Sequence, residues 1–128
     1  MSDNKWSEFE RPEYRLQDLG RPAVFIIPTR ALAQPMNEET LADNLNQFLV
    51  DNFGAYTAMT IPAFGIWRGP GGLLASDESR VYEVSFKGKE NIPLLIKKLA
   101  QIAELTGEEC IYLKAGQYSC LVSPRWSL

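Results

Sequence analysis

The side chains best suited to chemistry gather around one segment, Gly65 to Arg80, which reads GIWRGPGGLLASDESR. Glu78 offers a carboxylate. Where such a group is partly desolvated it can hold a cation or amino group, or accept a proton. Trp67 offers a flat ring for stacking or for cation–π attraction. Arg68 and Arg80 can bind a carboxylate or phosphate in a bidentate way. Tyr56 and Tyr82, on the two flanking extended runs, bring hydroxyls that can line a pocket. Each also has a plainer reading. Asp77, Glu78 and Ser79 can be a solvated turn, Trp67 a core or interface ring, and the arginines surface partners of Asp77 or Glu78. Tyr82, and Tyr56 with it, can be simple core. Gly69-Pro70-Gly71-Gly72 lacks the Lys-Ser/Thr of a phosphate loop and opens no helix, so it reads as a hairpin tip.

The chain contains no histidine. That removes Ser-His-Asp and Cys-His catalysis and most zinc sites. An enzyme built from this sequence works with carboxylates, Tyr, Lys, Arg or Cys, or by holding its substrate in place, and no cofactor is expected. The 13 basic and 16 acidic residues are mixed, with a net charge of −3. No basic stripe exists for a nucleic-acid backbone, so nucleic acid is not expected as a partner. No run approaches a membrane span and the N-terminus, MSDNKWSEFE, has no signal-peptide core; the cytoplasm is the expected location. Cys110 and Cys120 read as two small buried residues. A two-residue turn at Ala115-Gly116 would set them on opposite sheet faces, which argues against a disulfide.

At 128 residues the chain is long enough for one domain with one core. Residues 1–22 read as an extended arm: Pro12 and Pro22 interrupt it, and Trp6, Phe9, Tyr14, Leu16 and Leu19 are spaced anchors that lie across this domain or a neighbouring subunit. Residues 23–123 form the domain and residues 124–128 a tail carrying Trp126. Within the domain, Ala23 to Thr29 is a central strand. A helix starting at Asn37 or Glu38 carries Leu41, Leu45, Phe48, Leu49 and Phe53 on one face and stops at Gly54. Ala55 to Trp67 is extended, and Pro62 inside it demands an edge or a bulge. Arg80 to Phe86 is a third strand. Asn91 caps a second helix with Pro93 in its first turn and Leu95, Leu99, Ile102 and Ala103 as its apolar face. Glu109 to Leu113 and Tyr118 to Ser123 are the last strands. Two helices with one apolar face each require a sheet to cover. The order predicts an α+β, ferredoxin-like β-α-β-β-α-β sandwich with an extra C-terminal strand. One sheet face is left for another subunit or a ligand.

The element order, the Gly-x-aromatic at Gly65 and Trp67, and the acidic residue Glu78 together resemble the S-adenosylmethionine lyases of bacteriophages. The resemblance covers roughly residues 23–122. It implies a small ferredoxin-like homotrimer, with the substrate held between subunits. It further implies cleavage of S-adenosylmethionine to methylthioadenosine and homoserine lactone, a counter-defence against restriction in the host cytoplasm. Glu78 matches the family's acidic position, and Trp67 stands where a Tyr is typical, so a Tyr hydroxyl has no counterpart there. The GPGGLL loop is also similar to a group of short bacterial proteins with a GxWR…G…SRV pattern, which carries no activity. A non-enzymatic inhibitor that docks through its arm and Trp-bearing face is the alternative function on the same scaffold.

Overall fold

The computed structural model describes residues 5–68 and 74–125, with the stretch 60–77 described through its backbone pairing. Among these residues the long and short elements follow in order: β1 Arg21–Pro28, α1 Thr29–Leu32, β2 Pro35–Met36, β3 Glu39–Thr40, α2 Leu41–Phe53, β4 Thr57–Arg68, β5 Leu74–Phe86, α3 Ile92–Thr106, β6 Ile111–Ala115 and β7 Tyr118–Val122. The main sheet has the order β4-β5-β1-β6-β7, and every neighbouring pair is antiparallel. The first strand thus lies at the centre between the third and fourth long strands, which is the ferredoxin-like arrangement. The extra strand β7 extends the sheet as a hairpin with β6.

β1 is central because its residues suit burial. Ala23, Phe25 and Ile27 are fully buried and alternate with half-buried Val24 and Ile26. Against that face lie Leu45 and Leu49 of α2 and Leu95, Leu99, Ile102 and Ala103 of α3, in one core with Tyr82, Val84, Ile111 and Leu113. Gly54 and Gly107 end the two long helices in the left-handed region, at φ 84° and 74°. The single-turn α1 is pinned to the end of α3 by Arg30, whose Nε and Nη2 donate to Glu108 Oε1 at 3.1 and 2.9 Å.

Several boundaries differ from the sequence reading. The first long helix starts at Leu41, where Thr40 accepts from the Asp43 amide at 3.1 Å. Asn37 and Glu38 form the turn between β2 and β3, with Asn37 at φ 61°. Asn91 does precede α3 but does not cap it; its side chain donates to the Asn52 carbonyl at 2.6 Å and ties α3 to the end of α2. The final hairpin turns at Gly116-Gln117, since Ala115 pairs with Tyr118. Cys120 faces Leu113 across that hairpin and is exposed, and Cys110 is half-buried just before β6. Neither cysteine is the buried residue expected: Cys110 lies in the connection before β6, and Cys120 sits on the edge strand β7. Both thiols are free.

The larger difference concerns the segment between the second and third long strands. β5 begins at Leu74, six residues before the expected Arg80. Gly65, Trp67 and Arg68 pair with Asp77, Ala75 and Leu74. β1 pairs with β5 only as far as Ser79, so the outer parts of β4 and β5 run on as a two-stranded ribbon. The tip, Gly69 to Gly72, lies outside the described residues, as does Trp126. Pro62 satisfies both expectations for it: β4 is an edge strand, and its register with β5 shifts between Met59 and Ala63.

The arm closes on itself before β1. Residues Ser7–Phe9 form a 3-10 turn, Trp6 Nε1 donates to Asp18 Oδ1 at 3.2 Å, and the Tyr14 hydroxyl donates to the Phe9 carbonyl. Gly20, at φ 90°, lets the chain enter β1. A Cβ there would lie 2.1 Å from the Phe86 carbonyl oxygen.

Candidate functional site

The β5 positions 78, 80 and 82 alternate onto the helix-covered face, because Tyr82 and its cross-strand partner Phe25 both belong to the core. Tyr82 is fully buried. Its ring stacks on Phe25 with centroids 5.2 Å apart and planes 6° apart, and meets Tyr56 at 6.1 Å and 43°. Tyr56 arrives there because α2 stops at Gly54 and the chain turns directly into β4. The Tyr82 hydroxyl oxygen is buried without a hydrogen-bond partner. Burial pushes its pKa above the ordinary tyrosine value; the Arg80 guanidinium, within reach of the oxygen but outside hydrogen-bond geometry, partly offsets that rise.

Arg80 is half-buried and faces Ile27 on one side. On its other side lies the register shift of β4: four steps of chain, Met59 to Ala63, oppose two steps, Val81 to Ser79. A bulge beside a charged side chain opens the ladder locally and gives that side chain room to re-aim. Three of the six candidate residues, Tyr56, Tyr82 and Arg80, are therefore brought together.

Glu78 sits two positions further out. It pairs with Phe64, its side chain is exposed, and its carbonyl accepts from Thr29 Oγ1 at 3.3 Å. Its backbone is thereby anchored to the corner between β1 and α1. Trp67 occupies the ribbon three positions beyond Phe64, about 10 Å along the strand at the usual rise. An odd separation puts the Trp67 and Glu78 positions on opposite faces of the ribbon. Arg68 lies one step further, opposite Leu74.

A cleft of about 570 Å³ opens at the other end of β4 and β5, with Tyr56, Phe53, Glu83, Phe86, Lys87 and Asn91 on its walls. Among the described candidate residues Tyr56 is on that wall, and its ring also contacts Tyr82. Asn46, in the middle of α2, was not signalled by the sequence, yet its Oδ1 is also buried and unpartnered. An Asn three residues before Leu49, on the flank of an apolar helix face, is the pattern that would have drawn attention to it.

Among the described residues no cluster of three or more acidic or cysteine side chains is placed to hold a metal ion. No helix among them is long and apolar enough to cross a membrane. The arrangement offers a mixed polar and aromatic surface: an exposed carboxylate, a guanidinium, and an orphaned hydroxyl on a rigid aromatic stack.

No family model and no curated protein matches the sequence. Two solved structures do match in shape. A phage SAM lyase in complex with S-methyl-5'-thioadenosine superposes with a TM-score of 0.58 at 13% identity, covering 88% of this chain and 96% of that one. A phage SAM lyase in the apo state gives 0.53 at 12% identity, covering 88% and 98%. The chain therefore shares its fold, over nearly the whole length of those proteins, with a phage SAM lyase.

Proposed function

We propose that this chain cleaves S-adenosylmethionine to methylthioadenosine and homoserine lactone. The observation that carries the reading is the near-complete mutual coverage with a phage SAM lyase, solved with S-methyl-5'-thioadenosine bound. The chemistry suits a chain without histidine. The substrate's own carboxylate oxygen attacks its Cγ, the C–S bond breaks, and the bonding pair leaves on sulfur. A carboxylate and a sulfonium disappear together and no proton is transferred. The protein needs to hold a folded conformer in which these groups meet, and to keep water away.

In this reading Glu78 holds the substrate's ammonium. An anion at the sulfonium would oppose a step that consumes the positive charge there, whereas the ammonium keeps its charge throughout. Trp67 stacks the adenine, and Arg80 and Arg68 steer the substrate carboxylate. Tyr56 forms the wall, with the buried Tyr82 ring packed behind it. Because the Glu78 and Trp67 positions lie on opposite faces of one ribbon, a complete site uses Glu78 of one chain and Trp67 of another. This fits the homotrimer and shared site that the family resemblance implies. Consumption of the methyl donor in the host cytoplasm would serve a phage against restriction.

The test is direct. The purified protein is incubated with S-adenosylmethionine and the products are separated by chromatography. Methylthioadenosine is expected from the wild type and at least about tenfold less from Glu78→Gln, a loss equivalent to about 1.4 kcal/mol of transition-state stabilisation. No product, or equal product from both proteins, overturns the assignment. One feature favours the non-enzymatic alternative: Trp6, Phe9, Tyr14 and Leu16 line an open dish on the arm. A single stoichiometric host protein retained by the wild type and lost on Trp6→Ala would support docking in place of catalysis.

A further inference from the structure

Glu78 sits at the point where the body of the sheet lets go of the ribbon. The last β1–β5 pair joins Pro28 to Ser79, and one further step of that register would set Thr29 opposite Glu78. At Thr29 the chain leaves β1 and turns into α1 instead. The Thr29 hydroxyl still crosses the gap, donating to the Glu78 carbonyl at 3.3 Å. This side-chain bond carries the join between β1 and β5 one step beyond the ladder.

Thr29 can hold Glu78 only if α1 is itself held. A single helical turn does not sustain itself, and α1 has no side-chain cap at its start. Tertiary contacts fix it. Ala31 and Leu32 are buried in the core. Arg30 clamps onto Glu108 Oε1 through both Nε and Nη2. The Glu108 side chain is 7% exposed and that of Arg30 is 65% exposed, so the carboxylate is the fixed partner. Glu108 is set in place by the stop of α3: Gly107 is left-handed at φ 74°, and the Glu108 amide donates to the Ala103 carbonyl at 2.9 Å. A buried carboxylate at the carbonyl end of a helix is unfavourable alone, and the guanidinium compensates both charges.

We propose that Thr29 and the Arg30–Glu108 pair are positioning residues for Glu78. This role rests on the assignment of Glu78 to the substrate's ammonium. A carboxylate on an unanchored ribbon would lose conformational freedom each time it took up that cation, and the anchored corner removes most of this loss in advance. The ammonium keeps its charge throughout the reaction. Glu78 therefore binds ground state and transition state alike, and a loosened Glu78 shows in KM rather than in kcat.

Two measurements test the role separately. The first needs no substrate. Amide hydrogen exchange, read by NMR, should quicken about tenfold or more at Glu78 to Arg80 in Thr29→Val and in Arg30→Met, and stay as in wild type at Tyr82 and Val84. Thr29→Ser keeps the hydroxyl and should exchange like the wild type. Thr29→Val preserves shape and carries the test if Arg30→Met fails to fold. The second measurement is kinetic. Thr29→Val and Arg30→Met should raise KM for S-adenosylmethionine about three- to tenfold with kcat within about twofold, and Thr29→Ser should restore KM. S-adenosylhomocysteine carries the ammonium and methylthioadenosine lacks it. Calorimetry of Thr29→Val should show weaker binding of the first and unchanged binding of the second. In a Glu78→Gln background Thr29→Val should add nothing to KM. A general loss of folding would instead lower kcat and both affinities in either background. Unchanged exchange at Glu78 to Arg80, an equal loss for both ligands, or an equal loss in the Glu78→Gln background would each overturn the positioning role. A wild type that forms no product overturns the lyase reading, and the exchange data then decide the anchoring on their own.

Discussion

Tyr82→Phe should make the protein more stable and less active. The hydroxyl is buried without a hydrogen bond, and burying such a group unpaired costs about 1–3 kcal/mol. The substitution keeps the ring, its 5.2 Å stack on Phe25 and its 6.1 Å contact with Tyr56. Attraction to the Arg80 guanidinium returns part of the cost in the wild type, so a net gain of about 1 kcal/mol is expected. In urea that raises the midpoint by roughly 0.3–1 M with an unchanged slope. The thermal midpoint should rise by roughly 3–6 °C.

Alkali sharpens the test. Burial raises the folded-state pKa of Tyr82 above its ordinary 10.0. The folded state therefore binds this proton more tightly than the unfolded chain, and the associated stability is complete below the unfolded pKa. It is lost as pH climbs from about 10 through the folded value. The Tyr82→Phe variant has no such proton to release, so the stability gap between variant and wild type should widen above about pH 10. A variant that is about 1 kcal/mol or more less stable than wild type, or a gap that narrows in alkali, would refute the reasoning. The hydroxyl would then be a satisfied structural group. Product formation that falls while stability rises would mark Tyr82 as a group kept for function at a cost in stability.

Other perturbations follow from the geometry. Gly20→Ala places a Cβ 2.1 Å from the Phe86 carbonyl oxygen at a backbone φ of 90°. It should cost upward of about 2 kcal/mol, and an unchanged denaturation midpoint would show that the arm junction yields freely. Cys120 should be alkylated well before Cys110, because it is exposed while burial, with Glu109 and Glu108 nearby, raises the Cys110 thiol pKa. Equal labelling by mass spectrometry would contradict that order.

The helices can be read from the sequence because burial on one face is a local pattern. Leu45 and Leu49, then Leu95, Leu99 and Ile102, recur at helical spacing and end at glycines that supply a left-handed stop. The start of α2 escapes such a reading because Asn37 and Glu38 suit a turn as well as a helix entry, and only the β2–β3 pairing decides between them. Cross-strand register cannot be read along one strand. The extension of β5 back to Leu74 depends on what β4 offers opposite it, so the Gly65–Arg80 segment reads as a loop from sequence alone. The same reason separates the candidate residues. Their chemical types are visible in the sequence, but only the register shows Tyr56, Tyr82 and Arg80 meeting while the Trp67 position falls on the other ribbon face.

The register shift at Pro62 also limits how far the sheet can grow. β4 is an open edge, and an open edge can add a strand from any passing chain. Pro62 has no amide hydrogen to give, and the two extra residues around it break the regular spacing a docking strand would need. At the opposite edge β7 offers only five residues. Lateral, edge-to-edge polymerisation is thus obstructed at both borders.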